Sequence, residues 1–122
     1  MAKKIILVAD DNAMARRRLH TLLRSAGYRV TTVATGQDAL AAMLLRTPDL
    51  ALVDLQMPEL DGIGVVHAMR ADPELRTVPA IALSAFPQPR GREYALAAGF
   101  DAYLRKPAPR EKLLDEVRRR IG

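Results

Sequence analysis

Asp10-Asp11, Asp54, Ser84 and Lys106 each stand just past the end of a short apolar run. The runs are Ile5-Ile6-Leu7-Val8-Ala9, Leu50-Ala51-Leu52-Val53, Ala80-Ile81-Ala82-Leu83 and the weaker Ala102-Tyr103-Leu104-Arg105. Carboxylate oxygens suit a hard divalent cation, and Mg²⁺ commonly pairs one or two of them with phosphate oxygens. An aspartate can also attack phosphorus and carry the phosphoryl group as an acyl phosphate. A hydroxyl can donate to phosphoryl oxygens, and an ammonium can bind them as a point charge. The set can therefore hold Mg²⁺ and phosphorylate an aspartate, provided the fold gathers it.

Stepping along the chain, strand-like and helix-like segments alternate. Strands are expected over about 4–9, 29–34, 49–54, 80–84 and 101–105, and helices over about 13–26, 36–46, 63–70, 90–98 and 109–121. Asn12 is a candidate N-cap. Gly27 and Gly99 end helices, Pro48 stops another, and Pro109 suits a helix start. The second strand is rich in Val and Thr and poor in large apolar residues, which predicts a sheet edge. Alternation of this kind predicts an α/β fold, a doubly wound five-stranded parallel sheet of order 2-1-3-4-5 with five helices. Ligands of such sheets bind in the crevice at the carboxyl ends of the strands, which is where the candidate residues fall.

The length, 122 residues, suits one domain spanning 1–122. There is no cysteine, hence no disulfide and no thiolate site. The first apolar run is too short for a signal-peptide core or a membrane span, so a cytoplasmic protein is expected. Net charge is +5. No aromatic residues interleave with the basic ones and no nucleic-acid motif is present, so the charge reads as an ordinary basic surface around an acidic pocket, without direct nucleic-acid or membrane binding. The runs Arg16-Arg17-Arg18 and Arg118-Arg119-Arg120 read as solvated helix faces.

Adjacent Asp10 and Asp11 repel each other unless a cation intervenes. Asp54 ends the most apolar central strand, where a carboxylate needs a partner. Lys106-Pro107 is a candidate cis bond that aims the lysine inward.

These elements, in order, resemble the receiver domains of two-component response regulators, and the plan is similar to that of the single-domain chemotaxis regulators with their flavodoxin-like receiver fold. The resemblance rests on Val8-Ala9-Asp10-Asp11, on Asp54-Leu55-Gln56-Met57-Pro58-Glu59-Leu60-Asp61-Gly62, on Leu83-Ser84-Ala85 and on Tyr103-Leu104-Arg105-Lys106-Pro107, and covers essentially the whole chain. It implies that Asp54 is the phosphoacceptor, charged from a phosphohistidine on a histidine kinase or phosphotransfer protein. It implies Mg²⁺ on Asp10, Asp11, Asp54 and the backbone carbonyl of Gln56. Ser84 would swing to the phosphoryl group, Lys106 would bind it, and Tyr103 would rotate inward. Ala85 would leave room for the group. The output is then a changed surface of helix 4, strand 5 and helix 5, read by a downstream protein, with the chain a monomer or a phosphorylation-dependent dimer. Met14 and Arg17 are candidate kinase contacts; Arg92, Tyr103 and Arg110 are candidate output contacts.

Two positions depart from the commonest pattern of that family. Ser84 stands for the more frequent threonine and keeps the hydroxyl. Phe86 stands where a polar residue often orients the attacking water; a phenyl ring cannot, so a long-lived aspartyl phosphate is expected.

Other readings are a receiver module of a hybrid kinase, a phosphorelay shuttle, or a phosphorylation-independent binding module. A phosphatase with an aspartyl nucleophile would need an acid/base two residues on, where Gln56 stands. A flavin binder would need a Ser/Thr/Gly phosphate loop in place of Asp10-Asp11-Asn12. The chain is therefore not expected to be an enzyme beyond its own phosphorylation and dephosphorylation.

Overall fold

The computed structural model describes residues 2–85 and 90–122. The expectations for Phe86 and for the stiff segment Phe86-Pro87-Gln88-Pro89 lie outside the described residues. The described residues form β1 (Ile5–Ala9), α1 (Ala13–Ser25), β2 (Arg29–Val33), α2 (Gly36–Leu45), β3 (Leu50–Asp54), α3 (Gly62–Ala71), β4 (Ala80–Ser84), α4 (Gly91–Ala98), β5 (Ala102–Arg105) and α5 (Arg110–Ile121). All strand pairs are parallel, in the order β2-β1-β3-β4-β5. Each expected element is present, with bounds shifted by at most about a residue. Thr-rich β2 is an edge strand, and β3 and β4 are buried along their whole length.

Alternation along the strands builds two cores. Ile6, Val8, Leu50, Leu52, Ile81 and Leu83 point to one face, where α1 supplies Leu19, Leu22 and Leu23 and α5 supplies Leu113, Leu114 and Val117. Leu7, Ala9, Ala51, Val53, Ala80 and Ala82 point to the other, against Met43 of α2, Val65, Val66 and Met69 of α3 and Ala95 of α4. Period-two strands sandwiched between period-3.6 helices account for both faces being apolar. Each fully buried Leu or Ile stabilises the fold by about 1.5–3 kcal/mol.

Caps set where the helices begin. The Asn12 side chain accepts from Ala15 N–H at 2.9 Å, as its sequence position predicts. Thr35 and Asp61 do the same for α2 and α3. Gly27 ends α1 with φ +102°, a conformation that favours glycine. At Gly62 a Cβ would lie 2.5 Å from the Asp54 carbonyl oxygen, so only glycine lets α3 start directly against the end of β3.

The amino end of the sheet is tied by side chains. The Asp49 carboxylate accepts from Ile5 N–H at 2.7 Å, and Asp101 accepts from Ala80 N–H at 2.9 Å. Arg70 donates to the carbonyls of Gly99, Arg76 and Val78 at 2.8–3.0 Å and to Asp101 at 3.2 Å. The arginine runs are less uniformly solvated than expected. Arg16 donates to the Asp10 carbonyl at 2.8 Å, Arg18 to the Ala108 carbonyl at 2.7 Å, and Arg120 to the Asp101 carbonyl at 3.1 Å. Helical periodicity marks these positions as outward, but a guanidinium on a long stem reaches back to a loop carbonyl.

Candidate functional site

Register brings the stations level. Ala9 pairs with Val53, Asp54 with Leu83, and Ser84 with Arg105. Asp54 and Ser84 end β3 and β4, Asp10 and Lys106 follow β1 and β5 directly, and all four fall at the carboxyl edge of these strands. The Lys106 N–H donates to the Ser84 carbonyl at 2.8 Å, which extends this ladder past β5. The Lys106-Pro107 bond is cis, as expected.

Asp10, Asp54 and Ser84 are buried, whereas Asp11 is exposed beside them. Carboxylate oxygens of Asp10, Asp11 and Asp54 all lie within 4.8 Å of one another. Lys106 Nζ donates to Asp10 Oδ2 at 2.6 Å and to Asp54 Oδ2 at 3.4 Å. The shorter of its two bonds goes to Asp10. The remaining oxygens are held by the turns that follow them. Asp10 Oδ1 accepts from Asn12 N–H at 2.9 Å, and Asp54 Oδ1 accepts from Gln56 N–H at 3.0 Å.

Burial pushes the Asp54 carboxyl up to about 6, and the neighbouring Asp10 charge adds to this. The Gln56 N–H and Lys106 pull the other way without offsetting it. At neutral pH Asp54 is thus mostly ionised and poorly solvated, a state suited to a nucleophile or a metal ligand. For Lys106, burial disfavours the ammonium, but its bond to Asp10 and the charge of Asp54 outweigh burial and raise its pKa.

Three carboxylates against one ammonium leave the cluster short of positive charge. That deficit, together with oxygen donors at close range, fits a hard divalent cation. The donor set contains no thiolate or imidazole, so it favours Mg²⁺ over softer metals.

Around this centre, Ala85 is exposed and lines an open cavity of about 430 Å³ with Lys106, Pro107, Asn12 and Met14. Tyr103 is half-buried in β5 and packs on the core beneath α2, α3 and α4. Met14, Arg17, Arg92 and Arg110 are exposed. The support that sequence reasoning missed is Arg16 on the Asp10 carbonyl and Arg18 on the Ala108 carbonyl. These bonds fasten α1 to the two loops that carry Asp10 and Lys106.

A family model described as the response regulator receiver domain matches residues 6–118. The chain is 39% identical over 116 residues to the probable transcriptional regulator ycf27 of Cyanophora paradoxa, covering 95% of this chain but only 47% of that protein. It thus spans about half the length of that relative, and 18% of the length of protein RcaC of Microchaete diplosiphon. With the polar-differentiation response regulator DivK of Brucella ovis it shares 29% identity over 98% of this chain and 97% of that one. Among solved structures, the receiver domain of sensor histidine kinase PA1611 from Pseudomonas aeruginosa superposes with a TM-score of 0.91 at 39% identity, over 99% of both chains. That structure has a magnesium ion coordinated in its active site cleft. The chemotaxis protein CheY4 of Vibrio cholerae superposes with a TM-score of 0.91 at 30% identity, over 98% of this chain and 99% of that one.

Proposed function

This chain belongs to the response regulator receiver domains, and from that membership we propose that it is a phosphorylation-operated switch whose acceptor is Asp54. Receiver domains are signalling switches of two-component systems that work with histidine kinases or phosphotransfer proteins and with downstream targets. The observation that carries the assignment is the buried Asp54 carboxylate, pushed up to about 6 and set beside Asp10 and Lys106.

An Asp54 oxygen attacks the phosphorus of a partner's phosphohistidine. The new O–P bond forms as the P–N bond breaks, and the imidazole keeps that electron pair and takes a proton. Asp10, Asp11, Asp54 and the carbonyl of Gln56 would hold Mg²⁺. When bound, Mg²⁺ supplies positive charge that offsets the crowded carboxylates and the incoming phosphoryl oxygens. Lys106 binds a phosphoryl oxygen as a point charge, which loosens its hold on Asp10. Ser84 donates its hydroxyl to another oxygen.

Each contact distinguishes a phosphoryl group from a bare carboxylate, so phosphorylation biases a two-state equilibrium. Tyr103 carries the change to the surface of α4, β5 and α5, where a target protein reads it. The chain's own residues act only on Asp54, so it turns over no separate substrate.

The same chemistry serves a receiver module within a hybrid kinase or a phosphorelay shuttle. The likeness to a kinase receiver domain and to a free-standing regulator of nearly equal length supports both settings. Among the described residues no helix is long and apolar enough to cross a membrane.

Intact mass after incubation with Mg²⁺ and acetyl phosphate tests the proposal. One phosphoryl adduct is expected, dependent on Mg²⁺ and absent from Asp54→Asn. An adduct that persists in Asp54→Asn would overturn the assignment.

A further inference from the structure

Four basic residues meet at the opposite end of the sheet from Asp54. Lys3 precedes β1, Arg24 lies in the last turn of α1, Arg29 opens β2, and Arg46 follows α2. These four cations come from separate parts of the sequence, yet they line a single open pocket of about 250 Å³. Among the described residues, none of them has a carboxylate within ion-pair distance. The Asp49 carboxylate beside them is engaged by the Ile5 N–H and forms no ion pair with them.

Further hydrogen-bonding side chains face the same space. Tyr28 is 94% buried by its neighbours, being only 6% exposed, and lines the pocket with His20 and Thr31. Its hydroxyl makes no hydrogen bond among the described residues and is open to solvent at the pocket. A charged sheet edge by itself guards against edge-to-edge pairing. That role needs charge along β2 and does not require cations from four segments to surround a concavity that also holds a tyrosine, a histidine and a threonine.

We propose that this pocket binds a compact phosphate-bearing anion, a diphosphate group, either free or as part of a nucleotide. Its volume is below the roughly 300–1,000 Å³ of sites for drug-sized ligands, so it admits a small, highly charged group and not a large organic body. Arginine guanidinium forks match phosphate oxygens in pairs, and three arginines with one lysine answer the charge of a diphosphate. The pocket shares no lining residue with the aspartate cluster.

Calorimetric titration with sodium diphosphate in metal-free, low-salt buffer tests this. Arg24→Ala/Arg46→Ala is expected to weaken binding at least about tenfold, because it removes two charge-assisted partners. Arg76→Ala/Arg118→Ala, an equal loss of charge on other surfaces, is expected to leave binding within about twofold. Amide shifts of the ¹⁵N-labelled wild type should fall on β2 and the end of α1. Titration with a nucleoside triphosphate separates the sources. Tighter binding than diphosphate identifies a nucleotide, and equal binding identifies the phosphates alone. Equal weakening in both double variants, shifts centred on Asp10 and Lys106, or stronger binding of a single-stranded oligonucleotide per phosphate would each overturn the proposal.

Discussion

At the amino end of the sheet, Asp49 and Asp101 each accept a backbone N–H that opens a strand, and Asp101 also meets Arg70. At the carboxyl end, Asp10, Asp11 and Asp54 crowd within 4.8 Å with one lysine between them. The residue type is the same and each lies at a strand terminus. What differs is whether donors match acceptors. A carboxylate matched by N–H groups closes the fold; carboxylates left short of positive charge store repulsion that a ligand can relieve. The first kind of aspartate is satisfied within the fold and the second is not, and burial alone does not distinguish them.

Removing the donor at the matched end should do the most damage. Arg70→Ala frees four carbonyls and one side of Asp101, and is expected to cost about 3 kcal/mol in urea unfolding, the range for losing charge-assisted bonds. A loss under about 1 kcal/mol would show that the clamp is not what holds the amino end together.

The crowded end should respond with the opposite sign. The folded-state pKa of Asp54 lies above its unfolded value of 3.8, at about 6. The folded protein therefore binds the Asp54 proton more tightly than the unfolded chain does. This favours folding at low pH and is lost as pH rises from about 4 to 6. Asp54→Asn is expected to be more stable than wild type at pH 7 in metal-free buffer by about 2–3 kcal/mol. The gap should close toward pH 4. Melting temperatures across that range check the sign, and a destabilised Asp54→Asn at pH 7 would break the contrast between the two ends.

The smallest effect is expected at Asp49→Asn, which keeps an oxygen for the Ile5 N–H and loses only the charge. About 1 kcal/mol of destabilisation is expected by the same unfolding assay. A gain in stability there would mean that Asp49 belongs with the crowded carboxylates.

Much of this was legible in the residues. Apolar runs such as Leu50-Ala51-Leu52-Val53 located the central strands, and the Thr-rich second run located an edge. A parallel sheet then placed Asp10, Asp54, Ser84 and Lys106 at one rim without any knowledge of their distances. Contacts that depend on register and side-chain reach were not legible. Lys106 favours Asp10 because of where the loop after β5 ends, to within about an ångström, and no pattern encodes that. Arg16, Arg18 and Arg70 sit where periodicity reads an ordinary helix surface, yet their guanidiniums bridge elements distant in sequence. The basic pocket was hidden for a related reason: its cations are scattered among Lys3, Arg24, Arg29 and Arg46, and no local run announces them.

The bond from Lys106 to Asp10 joins residues 96 positions apart. It has a consequence for the order of synthesis. A chain emerging from the ribosome displays Asp10, Asp11 and Asp54 well before Lys106 is made, and a domain folds as a unit once its elements are all available. Until β5 docks, the acidic residues have neither the lysine nor the β4–β5 edge that completes their surroundings. The acidic cluster therefore acquires its counter-charge only with the last fifth of the chain, when the segment that carries Lys106 is in place.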